Sequence, residues 1–104
     1  MILLMVSGVY SAYLRDILIT VHQPDGTEIN CFASGDEYYN WLHDADGYTI
    51  IQSQSDGYYY YAVQDGEELK PSIYKYGEIN PNTTAIPKWL IISPYKIKER
   101  RAAW

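Results

Sequence analysis

Cysteine, histidine and positive charge are all scarce in this chain of 104 residues. The one cysteine, Cys31, excludes an internal disulfide, so packing alone must hold the fold. The two histidines, His22 and His43, lie far apart in the sequence. A zinc-protease helix needs two histidines four residues apart with a glutamate beside the first, so that motif is absent. A glycine-rich phosphate loop is also missing, and no cofactor or metal is expected. In the linear sequence no serine or cysteine nucleophile stands beside a base and an orienting group. Residues 1–87 carry twelve acids against three bases, which argues against nucleic acid as a partner. The one long apolar run, at the N-terminus, is too short to span a bilayer.

Tyrosine, by contrast, is abundant: twelve Tyr stand beside three Trp and one Phe. Its apolar ring and polar tip suit half-buried sheet faces and binding surfaces. Half of the aromatic residues lie in one stretch, 35–62, GDEYYNWLHDADGYTIIQSQSDGYYYYA. Asp-Gly pairs at 46, 56 and 65 punctuate the chain ten and nine residues apart, the rhythm of a β-meander. Ile17–His22 and Thr27–Ser34 flank Gln23-Pro24-Asp25-Gly26 and read as a first hairpin. Residues 36–43 pull two ways. Asp36 suits a helix cap, whereas Tyr38, Tyr39 and Trp41 favour a strand, which is the expectation here. Leu69–Tyr76 completes the meander.

Residues 77–92 are interrupted by proline and read as an extended arm or linker. Ser93-Pro94 then opens a helix expected to run to the C-terminus. Five of the last seventeen residues are basic, two of them the dibasic pair Arg100-Arg101. The chain ends without a helix stop signal, which reads as part of something longer. At the other end, MILLMVSGVYSA (1–12) reads as the apolar and cleavage regions of a secretory signal lacking its basic start. The expected fold is therefore α+β, mostly β: a small antiparallel β-meander at 13–76, an arm at 77–92 and a helix at 93–104.

Several groups were weighed for chemistry. Cys31 shares a strand face with Ile29 and Ala33 and is expected in the core. Asp44-x-Asp46-Gly47 echoes a calcium loop but lacks the closing glutamate, so a turn is expected. Asn82-Thr83-Thr84 is a formal glycosylation sequon. In the run Tyr58–Tyr61, alternation must send two rings to the core and two outward.

Taken together, QPDGT (23–27), GDEYYNWLHDADGYTII (35–51), DGYYYYA (56–62) and LKPS (69–72) resemble the N-terminal region of secreted zinc metalloproteases of the immune inhibitor A type. The tail KWLIISPYKIKERRAAW (88–104) is similar to the segment that follows that region in Bacteroides-type members. The resemblance implies a non-catalytic propeptide, inhibitor or folding aid of a downstream catalytic domain. It also implies a secreted or cell-surface bacterial destination and a metal site outside this chain. On that reading Asp36, Glu37 and His43 are candidate plugs for a metal cleft. Trp41, Tyr59 and Tyr61 are candidate partner-facing aromatics, the arm is a candidate pseudo-substrate, and Arg100-Arg101 is a candidate processing site. The alternative is a stand-alone extracellular binding module that grips carbohydrate or protein with an exposed Tyr-rich face.

Overall fold

The structure, a computed structural model, describes residues 13–103. The expected signal segment, Met1–Ala12, lies outside the described residues. Six strands form one sheet in the order β1-β2-β3-β4-β5-β6, every neighbour antiparallel. They are β1 (Leu14–His22), β2 (Glu28–Gly35), β3 (Asn40–His43), β4 (Thr49–Gln52), β5 (Tyr59–Asp65) and β6 (Glu68–Lys75). The helix α1 spans Pro94–Ala102, and Pro81–Thr83 forms a single 3-10 turn. The α+β, mostly β meander expected from the Asp-Gly rhythm is the observed fold.

The turns form where the sequence marks them because short carboxylates satisfy their amides. Asp25 Oδ1 accepts the Thr27 amide, Asp44 Oδ1 the amides of Asp46 and Tyr48, and Asp56 Oδ1 the Tyr58 amide. The Asp44-x-Asp46 pair is thus turn chemistry. At Asp36 neither expectation holds in full: no helix forms, and the strand expected over 36–43 is shortened to β3, Asn40–His43, because the Asp36 carboxylate makes a turn first. Its Oδ1 accepts the amides of Tyr38 and Tyr39, and β3 begins one residue later. Ser93 caps α1 by accepting the Lys96 amide at 3.2 Å, with Pro94 in the first turn.

Register decides which residues meet. Ala33, Leu42, Ile50 and Tyr61 stand opposite one another across β2, β3, β4 and β5. Direct cross-strand partners share a face, so this row forms one wall of the core. Ile29, Cys31, Tyr48, Ile50, Tyr61 and Ile86 are its buried centre. Phe32, His43 and Thr49 form the corresponding row on the opposite face.

The segment 77–92, expected as an extended arm or linker, includes the 3-10 turn Pro81–Thr83 and several bends, and it is not a free linker. Ile86 is part of the core, and Pro81 is buried. The Trp89 amide donates to Gly47 C=O (2.7 Å), Thr49 Oγ1 donates to Leu90 C=O (2.6 Å), and the Ile92 amide donates to the Tyr39 hydroxyl (3.3 Å). Single hydrogen bonds of this kind suit a proline-interrupted chain, which cannot supply the regular donors of a seventh strand. The arm thereby covers sheet surface that the meander leaves bare. The Trp89 ring lies so close over Gly47 that a Cβ there would sit 2.4 Å from it.

Candidate functional site

The sequence candidates divide by strand parity. Tyr61 is 4% exposed and packs edge-on against Tyr48, with ring centroids 6.1 Å apart. Tyr59, on the same face, packs partly buried against the same core. The partner-facing role expected of Tyr61 is therefore corrected: it is a core residue, whereas Tyr59 stays partly exposed and lines a groove described below, and Tyr58 and Tyr60 point to the other face. These two are occupied within the fold. Lys75 Nζ lies 4.1 Å from the Tyr58 ring centroid, and the Tyr60 hydroxyl donates to Asp56 Oδ2 at 2.6 Å. A run of four tyrosines carries no alternation of its own, so only the pairing of Ile50 with Tyr61 reveals the parity.

His43 was expected to be accessible near a strand end. It is 2% exposed, held between Phe32 (stacked, 5.9 Å), Trp41 (6.4 Å) and Trp89 (edge-on, 5.4 Å). Its Nδ1 lies 3.0 Å from Asp44 C=O, which can only accept, so Nδ1 carries a proton. Nε2 lies 3.0 Å from Ser34 Oγ and 3.3 Å from Asp16 Oδ1. The structure thus corrects one expectation: a serine does stand beside a base, brought there across the β2–β3 hairpin. The pair is nine residues apart, a spacing no nucleophile motif covers, and only the hairpin register reveals it.

The Ser34–His43 pair is nonetheless architectural. Ser34 Oγ also accepts the Asp16 amide at 2.9 Å, in the stretch where the β1–β2 register shifts. The hydroxyl is committed on both sides and the residue is 5% exposed, which leaves a substrate carbonyl no approach. Ser34→Ala is expected to strand the Asp16 amide, to remove one partner of His43 Nε2 and to cost about 1–3 kcal/mol. Urea denaturation of the variant checks this, and a midpoint equal to wild type would remove the bonding role assigned to Ser34.

Asp36 and Arg101, separate candidates in the sequence, are partners in the structure. Arg101 Nη2 lies 3.1 Å from Asp36 Oδ2, on the oxygen not used by the turn. The Tyr39 amide first, then the Tyr38 amide and the Arg101 guanidinium, hold the Asp36 carboxyl below its ordinary range. Arg100 pairs with Glu68 at 3.6 Å and stands 5.2 Å over the Tyr39 ring. The dibasic pair is therefore helical and bound to the sheet, whereas a protease requires an extended segment. Asp36→Ala is expected to speed tryptic cleavage at Arg101 about two- to fivefold, the worth of an exposed ion pair and a turn cap. Limited proteolysis followed by mass spectrometry measures it; an unchanged cleavage rate would show that the pairing does not protect the site.

Cys31 is fully buried, as expected, and burial pushes its thiol above the usual range. Glu37 is exposed. Among the described residues no cluster of three or more His, Cys, Asp or Glu side chains could hold a metal ion. No helix among them is long and apolar enough to cross a membrane.

A groove of about 310 Å³ beside β3 is lined in part by Tyr39, Trp41, Leu42, Tyr59, Ile92 and Arg100. Tyr39 and Trp41 stack with ring centroids 5.5 Å apart. The Trp41 Nε1–H is buried and has no acceptor among the described residues. A buried donor without an acceptor is uncommon in a folded protein and calls for an explanation. A second, more polar hollow of about 380 Å³ lies between the β1–β2 turn and the end of β6, lined in part by Gln23, Asp25, Tyr58 and Lys75. Comparison with protein-family models, with curated proteins and with solved structures finds no match to this chain.

Proposed function

We propose that this chain is the non-catalytic, propeptide-type N-terminal domain of a secreted zinc metalloprotease, and that it works by docking rather than by plugging the metal. The observation that carries docking is the groove beside β3, walled largely by the apolar and aromatic side chains Tyr39, Trp41, Leu42 and Ile92, with Arg100 at its side. Docking is also favoured by the state of the plug candidates. Cys31 and His43 are buried, Asp36 is held by Arg101 and two amides, and the arm 77–92 packs on the domain's own fold, which leaves the exposed Glu37 as the one plug candidate open to a partner. The resemblance centred on 35–51 supplies the partner class, and that stretch also supplies Tyr39, Trp41 and Leu42 of the groove.

In this reading the chain itself performs no proteolysis. It acts outside the cytoplasm as a folding aid and surface inhibitor of the catalytic domain. The competing Tyr-face module finds less support, because Tyr59 and Tyr61 face the core while Lys75 and Asp56 occupy Tyr58 and Tyr60.

The test adds this domain in trans to the mature cognate enzyme and follows both its activity and its refolding. Slowed turnover or raised refolding yield, weakened by Trp41→Phe, is the expected result. No effect of the domain on either reading at high excess would overturn the proposal, and a gene without a downstream zinc-binding helix would overturn its in-cis form.

A further inference from the structure

We infer that β1 is the interface for a second copy of this chain, joined edge to edge into one continuous antiparallel sheet. β1 pairs with β2 on one side, and no described strand lies on its other side. Eight of its nine residues are exposed, among them Leu14, Ile17, Leu18 and Ile19, with Leu18 69% exposed. Between Ile17 and Val21 there is no lysine, proline or other charge to discourage pairing. The opposite edge of the sheet is defended. β6 carries Lys70, Pro71 and Lys75 and a register break against β5, and α1 is tied to its start through Glu68.

The hydrogen-bond phase of β1 specifies how a second copy fits. The Gln23 amide donates to Thr27 C=O (2.8 Å), which sets the alternation along the β1–β2 ladder. Val21, Ile19 and Ile17 therefore direct their main-chain groups to β2, and Leu18, Thr20 and His22 direct theirs outward. A two-fold axis at Thr20 places Thr20 opposite itself and Leu18 opposite His22 of the second copy. All the outward groups then pair at once, in about six main-chain hydrogen bonds.

Side chains agree with that register. Ile19 comes to stand opposite Val21 of the second copy on the face that carries the core, a favourable β-branched pair. Thr20 meets Thr20, and no like charges are brought together within the paired segment. Beyond it, Arg15 falls beside the acidic Asp25 turn of the second copy. The register break between Leu14 and Ile17 ends the pairing at this point, so the interface is short and bounded. A two-fold, self-complementary contact closes on itself and stops at a dimer.

The experiment is light scattering coupled to size exclusion on the full chain over a concentration series, with three variants. Wild type is expected to move to dimer mass as concentration rises. Thr20→Pro removes an outward N–H without touching the β2 ladder, so it is expected to stay folded by circular dichroism and to remain monomeric. Thr20→Cys is expected to cross-link between copies on mild oxidation, because the two-fold axis sets these residues opposite each other, whereas His22→Cys is not. A wild type that stays monomeric throughout, a dimer that survives Thr20→Pro, or cross-linking through His22→Cys but not Thr20→Cys would each overturn the inference.

Discussion

Gly35→Ala is expected to destabilise the domain by about 3 kcal/mol or more, which for its size lowers the melting temperature by roughly 12–24 °C. Gly35 has φ +120, which side-chain-bearing residues rarely adopt. A Cβ would also sit 2.2 Å from Tyr39 C=O and 2.6 Å from Asn40 Cα. Both atoms are backbone, and both belong to the turn that Asp36 caps and from which β3 starts. Relief requires moving β3 away from β2, which disturbs the Ser34–His43 bond and the groove beside Trp41 together. Gly47→Ala makes the useful comparison. Its φ of +98 carries backbone strain too, but its Cβ meets the ring of the exposed Trp89 rather than backbone, so its cost is expected to be smaller. Urea unfolding followed by circular dichroism measures both. A Gly35→Ala loss under about 1 kcal/mol would mean that the β2–β3 corner is looser than its geometry shows.

Tyr61→Ala is expected to cost about 3–5 kcal/mol, against about 1 kcal/mol or less for Tyr60→Ala one residue away. Tyr61 fills the core between Tyr48 and Tyr76, with ring centroids 6.1 Å and 5.7 Å away, and its removal leaves a ring-sized void. Tyr60 loses one exposed hydrogen bond to Asp56. A domain of this length has only about 5–15 kcal/mol in hand, so the first variant should unfold in mild denaturant and the second should not. Equal effects would sink the parity assigned to β5.

The same residue predicts the alkaline limit. Burial pushes the Tyr61 phenol from 10.0 to about 12. The unfolded chain therefore ionises first, and the native state holds the extra proton through that interval. Stability is unaffected by this group below pH 10 and falls between pH 10 and 12, by on the order of 2 kcal/mol. Tyr61→Phe should flatten part of that decline. Burial raises Tyr39 and Tyr76 in the same direction, so some of the decline should remain. Unfolding curves at stepped alkaline pH, read for the two proteins side by side, decide the matter.

Much of the architecture was legible because its signals are local. An Asp-Gly pair bends the chain by its own chemistry, and the turns formed where those pairs stand. Ser93-Pro94 starts a helix because a cap acts within one turn. The strand expected over residues 36–43 was legible only in part: β3 spans Asn40–His43 and includes Trp41, whereas Tyr38 and Tyr39 lie in the turn that Asp36 holds, because that carboxylate takes both of their amides. The candidate site was much less legible. Asp36, Trp41 and Arg101 were singled out, but as separate features. Their grouping near the β3 corner depends on α1 folding back over a chain separation of 65 residues between Asp36 and Arg101. His43 and Tyr61 were assigned to the wrong environment, because exposure is set by what arrives from elsewhere. For His43 that is Trp89, and for Tyr61 it is Ile50 and the arm residue Ile86.

By itself, then, the amino-acid sequence determined the meander, its turns, its cap and the burial of Cys31, since each follows from interactions within a few residues or from the alternation of one strand. The tertiary structure alone decided which tyrosines face the core, that Ser34 and His43 meet, that residues 77–92 are a cover rather than a tether, and that β1 has a strand partner on one side only among the described residues. Those outcomes rest on register and on distant segments docking. A one-residue slip in register would reverse every one of the facing assignments while leaving each local propensity unchanged.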